Sequence, residues 1–141
     1  MGFLTKLKIF SKSTKLFKNW YVYPLVYFKL TKKEHVIFET KTGLNIKIRV
    51  NSTDLMALTH VWMIQEYSNS GFDINDSDIV IDIGAHIGLF ALFASQFCKQ
   101  GKIFCFEPIK ENYELLVENI NSNKIKNIIP FNFAVSKESD S

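Results

Sequence analysis

Apolar positions recur along this chain in two different rhythms. In residues 3–18, Phe3, Leu7 and Phe10 fall near helical spacing among Lys6, Lys8, Lys12, Lys15 and Lys18, which predicts a basic amphipathic helix. Val36, Ile37 and Phe38, then Leu44, Ile46, Ile48 and Val50 in alternation, flank Lys41-Thr42-Gly43 and predict a β-hairpin with glycine in its turn. Asn51 or Ser52 is the expected N-cap of a helix that has Asp54 in its first turn. That helix should run to about Tyr67 through Leu55, Leu58, Val61, Trp62 and Gln65, before a polar loop from Ser68 to Asp78.

Beyond residue 78 the rhythm becomes strand, helix, strand, helix, strand. Ile79 to Ile83 is a nearly continuous apolar run, as expected of a central parallel strand covered on both faces. Leu89 to Cys98 is apolar almost all round and predicts a buried helix that Gly101 stops. Ile103 to Phe106 is a second strand. Tyr113, Leu116, Val117 and Ile120 stripe a second helix, with Pro108 suited to its first turn. Ile128 to Val135 predicts a third strand, placed at the edge because Pro130 cannot donate to a ladder. Such alternation predicts an α/β fold, a doubly wound parallel sheet in order 3-2-1 with the first strand open on its other side.

Composition narrows the class without naming a function. With 47% apolar and 22% charged residues and three prolines, 141 residues suit a globular domain and exclude wholesale disorder. No apolar stretch reaches the roughly 18–20 residues of a spanning helix, and the start lacks the features of a secretory signal, so a cytoplasmic location is expected. Cys98 and Cys105 lie in apolar segments and are expected to be buried reduced thiols. His35 and His60 have no partners at metal-ligand spacing. Trp62, Phe90, Phe93 and Phe97 read as core.

Residues 1–33 hold eight lysines and no acid, leaving the remainder with a balance of −5. Sixteen of the seventeen basic residues are lysine, whereas base and phosphate recognition leans on the arginine fork, so no nucleic-acid partner is expected. Two readings of this aromatic-rich start stay open: a helix packed on the domain, or peripheral contact with a membrane surface.

The first strand runs into Asp82-Ile83-Gly84-Ala85-His86-Ile87-Gly88, the place where open α/β sheets bind ligands. Glu107, at the end of the second strand, is placed to accept the hydroxyls of a ribose. A dinucleotide loop needs glycine where His86 stands, and Asp82 would repel a diphosphate. The same carboxylate suits a ligand bearing an ammonium and a sulfonium, which describes S-adenosyl-L-methionine.

Val80 to Gly88, followed by Phe104-Cys105-Phe106-Glu107-Pro108, resembles the FkbM-type family of S-adenosylmethionine-dependent methyltransferases. Phe38 to Arg49 with Asp54 and Glu66-Tyr67, and later Asn132 to Ser136, extend the likeness over about residues 36–138. The resemblance implies a Rossmann-like class I methyltransferase fold. It also implies a cofactor site in which Asp82, Gly84, Ala85, His86 and Gly88 surround the methionine moiety, Glu107 holds the ribose, and Pro108 and Ala134 border the adenine. The implied acceptor is a hydroxyl of a sugar, lipid or secondary metabolite, so the expected partner is a small molecule, glycan or lipid. Glu66-Tyr67 is read equally as packing or cofactor contact.

The expected organisation is a basic helical segment over 1–35, a hairpin and helix over 36–78, and the first half of the cofactor-binding domain over 79–141. Because only three strands of the core sheet are supplied, the expectation is a fragment or truncated product with half a site, weak or no turnover and an unpaired strand edge. Two alternatives stand beside it: an NAD-dependent oxidoreductase domain and a non-catalytic remnant acting as an interaction module. No catalytic residue and no metal site is assigned.

Overall fold

The computed structural model describes residues 2–64 and 73–136. The chain divides into two compact units, Met1–Asp73 and Ile74–Ser141.

The first unit holds α1 (Phe3–Leu16), α2 (Val22–Tyr27), β1 (His35–Glu39), β2 (Asn45–Arg49) and α3 (Asp54–Leu58), which continues as a π-helical segment, Thr59–Ile64. The face that α1 buries is Ile9 and Ser13, continued by Phe17 just beyond it, at successive steps of four; Leu7, expected on that face, is 49% exposed. A serine occupies the buried stripe without penalty because its hydroxyl donates to the Phe10 carbonyl at 2.7 Å. The chain leaving α1 is joined to the hairpin by main-chain bonds, Lys18 N–H to Glu39 O and Lys41 N–H to Leu16 O, both 2.8 Å. The Phe17 and Phe38 rings meet there at 4.9 Å, and Phe10 packs edge-on against Tyr23 and Tyr27. The lysine-rich start is therefore part of the first unit's own packing.

Arg49 and Asp54 fix the step from β2 to α3. The fully buried Asp54 carboxylate accepts the Arg49 main-chain N–H (2.9 Å), its Nε (2.9 Å) and its Nη2 (2.8 Å), so a bidentate ion pair also seals the turn. The N-cap of α3 is Thr53, not Asn51 or Ser52 as expected, but the Ser52 hydroxyl accepts the Asp54 N–H at 3.1 Å. The regular helix expected to reach Tyr67 ends at Leu58. Thr59 spends its hydroxyl proton on the Leu55 carbonyl at 2.7 Å, a local competitor for the helical ladder, and the following turn widens to π geometry. Gln65, Glu66 and Tyr67 lie outside the described residues.

The second unit is a parallel sheet in the order β3 (Ile79–Ile83), β4 (Lys102–Phe106), β5 (Ile128–Phe131), with α4 (Leu89–Ala94) and α5 (Lys110–Ser122). The expected strand order holds, with Asp82 opposite Cys105 and Phe106 opposite Phe131. Asn127 and Phe131 carbonyls accept from Ile103 and Glu107, so alternate residues of β5 face β4 and Pro130 turns its nitrogen to the open side. Cys98 and Cys105 are buried and free, as expected. Burial raises the Cys105 thiol to about 12, with the Asp82 charge adding to it, so it is an inert core group.

Four expectations need correction. The third strand stops at Phe131 instead of reaching Val135. The helix α4 ends at Ala94, where Ser95 turns its hydroxyl onto the Leu92 carbonyl, and Phe97 is 49% exposed, not core. Pro108 precedes α5, which starts at Lys110 after Ile109. Finally, β3 is not covered on both faces. Ile103 and Cys105 of β4 are buried, but Ile79, Ile81 and Ile83 are 72%, 62% and 64% exposed. Consecutive parallel strands put both crossover helices on one face, so nothing among the described residues covers the other. That uncovered face carries a run of stacked rings, with Phe131 5.1 Å from Phe106 and 6.4 Å from Phe104.

The two faces should respond differently to truncation. Ile103→Ala is expected to destabilise the second unit by about 2–5 kcal/mol and Ile81→Ala by less than about 1 kcal/mol, measured by urea unfolding; equal losses would contradict the one-sided packing. Gly101→Ala should be at least as damaging as Ile103→Ala, because its Cβ would run into the Asp78 carbonyl oxygen.

Candidate functional site

The carboxyl end of β3 opens into a turn whose backbone alternates in hand. Gly84 (φ +76°), His86 (φ +53°) and Gly88 (φ +84°) are left-handed, with Ala85 and Ile87 between them. Glycine makes two of these conformations free, and at Gly88 it is also needed for space, since a Cβ would press on Leu116 Cγ at 3.2 Å. His86 adopts the third against its intrinsic preference, which is on the order of 1 kcal/mol. Its role is visible in the backbone: the His86 N–H donates to Glu107 Oε2 at 2.7 Å. The turn is further fixed by Gly84 and Ala85 N–H groups on the Phe106 carbonyl (2.8 and 3.1 Å) and by the buried Asn119 amide on the Ile87 carbonyl (3.0 Å).

Glu107 is buried at 4% exposure and binds both βα turns at once. One oxygen accepts from His86 as described; the other accepts the Ile109 N–H at 2.9 Å. The expected ribose ligand is thus first a clip between two loops. Oε1 also receives the Asn112 amide at 3.5 Å, so the acceptor capacity left for a ligand hydroxyl is on Oε2. Asn132 holds the backbone around the clip, its amide donating to the Glu107 carbonyl at 2.9 Å and to that of Pro108 at 3.3 Å.

Asp82 has the complementary problem. Its Oδ2 is buried and has no hydrogen-bond partner. Burial pushes the carboxyl up to about 6, and the nearby Glu107 carboxylate pushes the same way. Two acids converging beside a glycine turn create a negative well that suits a cationic donor and rejects phosphate. Gly84 meets this requirement sterically, since the space where its Cβ would stand is open.

The structure therefore brings together Asp82, Gly84, Ala85, His86, Gly88 and Glu107, with Pro108 exposed at the rim. Ala134, with Ile81, Ile83, Phe106 and Phe133, borders a cavity of about 570 Å³ on the uncovered face of the sheet. Among the described residues no group of three His, Cys, Asp or Glu converges as a metal site. Sequence reasoning missed Asn119 and Asn132. Asn119 had a readable signal, a polar residue next to Ile120 and three after Leu116 on the apolar stripe of α5; Asn132 had none.

Comparison with known proteins places this geometry in a family. The model of the TRM5/TYW2 methyltransferase domain matches residues 29–139. The tRNA(Phe) (4-demethylwyosine(37)-C(7)) aminocarboxypropyltransferase of Methanocaldococcus jannaschii is 33% identical over 67 residues, which are 48% of this chain and 27% of that protein. The crystal structure of M. jannaschii TYW2 in complex with AdoMet superposes with a TM-score of 0.57 at 27% identity, covering 72% of this chain and 44% of that one. A putative transferase from Pyrococcus horikoshii, at 20% identity and a TM-score of 0.55 over 72% of this chain and 37% of that one, shares the fold. The chain thus spans about a quarter of the curated relative and under half of the solved one.

These findings support the expected class I, Rossmann-like methyltransferase fold and overturn two expectations. The FkbM assignment fails: the glycine turn and the acid after the second strand are what this fold needs for its loop, so they report the class and not the family. The expected small-molecule, glycan or lipid acceptor, with nucleic acid excluded, fails with it, since the curated relative is named for a tRNA. The chain belongs to the TRM5/TYW2 methyltransferase domain family.

Proposed function

We propose that this chain is the cofactor-binding part of an S-adenosylmethionine-dependent methyltransferase that modifies tRNA. The observation that carries the cofactor reading is the orphaned, buried Asp82 oxygen beside an open glycine turn. Asp82 would accept the ammonium of the methionine moiety, and Glu107 Oε2 would take a ribose hydroxyl while still clipping the turn. The bound cofactor supplies an electrophilic carbon on a sulfonium; the protein's part is to hold that carbon in line with an acceptor. Support for the cofactor also comes from the solved relative, whose structure was determined with AdoMet.

The tRNA reading rests on family membership and on the tRNA named for the curated relative. The first unit adds a physical reason. Lys8, Lys15 and Lys18 are exposed along α1 and just beyond it, while Lys12 gives its ammonium to the Met63 carbonyl; attraction to a phosphate backbone requires cationic charge and not an arginine fork. A second reading concerns the group transferred, because that relative moves an aminocarboxypropyl group. Mass spectrometry of tRNA digested after incubation with the cofactor separates the two by the mass added to the nucleoside.

Three outcomes are expected. In calorimetry, S-adenosylhomocysteine should bind selectively over NAD, and about tenfold more tightly at pH 7.5 than at pH 5, as Asp82 ionises to meet the ammonium. Asp82→Asn should flatten that pH profile and weaken binding; an unchanged profile would remove Asp82 from the site. In the free protein the sign is opposite. A folded value of about 6 against an ordinary 3.8 means the fold binds the extra proton, so the Asp82 contribution to stability is highest below about pH 4 and is lost as pH rises through 6. The stability difference between Asp82→Asn and the parent should grow in favour of the variant between pH 4 and 7, by on the order of 2–3 kcal/mol in urea unfolding. For the RNA, affinity should fall with salt, and replacing Lys8, Lys15 and Lys18 by Gln should make the logarithmic slope shallower by about 0.7 per lost contact. A slope that the triple replacement leaves unchanged would exclude this surface.

A further inference from the structure

The first unit contains a cavity of about 260 Å³ that the cofactor reading does not use. It lies where α2, the end of β2 and α3 meet, wholly within residues 23–60. Tyr23, Val26, Tyr27, Leu55 and Met56 give it aromatic and aliphatic walls. Lys29, Arg49 and His60 line it as well, and no aspartate or glutamate does. Asn51 and Ser52 add an amide and a hydroxyl. Size, ring-bearing walls, a one-signed rim and hydrogen-bonding groups together define the chemistry of an occupant: a flat aromatic body with donors and acceptors on its edge, joined to an anion.

The polar groups are already aimed. Thr59 gives its hydroxyl proton to the Leu55 carbonyl, so the Tyr23 hydroxyl, 2.7 Å from Thr59 Oγ1, is the donor in that bond and keeps its own lone pairs available as acceptors. Arg49 is held by Asp54, which neutralises it at long range but fixes its guanidinium at 29% exposure. The other full positive charge at the lining is Lys29. It follows α2 in a left-handed conformation (φ +55°), where its N–H reaches Val26 O at 3.0 Å and the next N–H reaches Leu25 O at 2.8 Å. This is a helix stop that glycine fills more comfortably than lysine.

We propose that this cavity binds a nucleoside 5′-phosphate, with the base between the aromatic and aliphatic walls and the phosphate on Lys29, either as a free nucleotide or as one residue of an RNA strand. The strand source rests on the tRNA reading above; the free source does not.

The helix stop supplies the test. Lys29→Gly removes the cation while relieving the backbone, so the variant should be at least as stable as the parent. Lys124 closes α5 in the same way, at φ +55° with its N–H on Asn121 O and the next N–H on Ile120 O, and Lys124→Gly is the matched control. The full chain is first saturated with S-adenosylhomocysteine, which removes the cofactor site from competition. It is then titrated with guanosine 5′-monophosphate, guanosine, inorganic phosphate and a 5′-phosphorylated RNA trinucleotide. The expected result is binding of the monophosphate or the trinucleotide at least tenfold tighter than guanosine or phosphate. That binding should be weakened tenfold or more by Lys29→Gly and unchanged by Lys124→Gly. Met56→Glu, at a position 61% exposed, puts a negative charge on the rim without touching the core and should weaken it likewise. A trinucleotide that binds where the free nucleotide does not identifies the strand as the source; the reverse identifies the free nucleotide. Failure of both ligands to bind, or binding indifferent to Lys29→Gly and Met56→Glu, would overturn the proposal whatever the state of the cofactor site.

Discussion

The second unit depends on one buried carboxylate. Glu107 emerges from β4 and receives the His86 amide from the turn after β3 and the Ile109 amide from its own turn. Without it, the His86 and Ile109 N–H groups would lose the one acceptor that ties the two turns together. His86 is drawn into a left-handed conformation to make that bond, and Gly84 and Gly88 take the same hand on either side at no steric expense. Burial, with the nearby Glu107 carboxylate adding to it, leaves Asp82 difficult to ionise, and its Oδ2 has no partner. The strained turn, the perturbed acid and the open space at Gly84 together form the feature a cationic cofactor would relieve.

The first unit is organised by a different charge, the buried Asp54. Its carboxylate holds Arg49 by main chain and side chain, which stitches the hairpin to the helix that follows. Breaking the pair would leave an uncompensated buried anion, so this unit tolerates the pair only because it is complete. The same fixation orders one wall of the cavity beneath α2, where lysine, arginine and histidine gather without an acid among the lining residues.

Much of this was legible in the residues. Period-two alternation around Gly43 located the hairpin, and the apolar runs at 79–83 and 103–106 located the parallel strands, because those signals arise from burial that is local to each element. The Asp82-to-Gly88 turn and Glu107 were also readable, since the chemistry demands those residue types at those places. What escaped notice depended on hydrogen bonds and packing that hydrophobic periodicity does not register. Ser13 sits in a core stripe because a carbonyl three residues back satisfies it. The helix after Asp54 changes pitch where Thr59 answers both Leu55 and Tyr23. The uncovered face of β3 follows from where two helices lie, not from the isoleucines themselves. Family and acceptor were misread for a related reason: the cofactor loop is shared across the fold, whereas charge on α1 was judged by side-chain type and not by its accumulation on one surface.

The most direct test of the central claim is a map of backbone amide chemical shifts during titration with S-adenosylhomocysteine. The account predicts that Gly84, Ala85, His86 and Ile109 shift together and saturate in one transition, because all four amides report on the turns that the Phe106 carbonyl and the Glu107 clip hold. Shifts confined to residues of the first unit, or saturable binding that leaves these four amides unmoved, would contradict it.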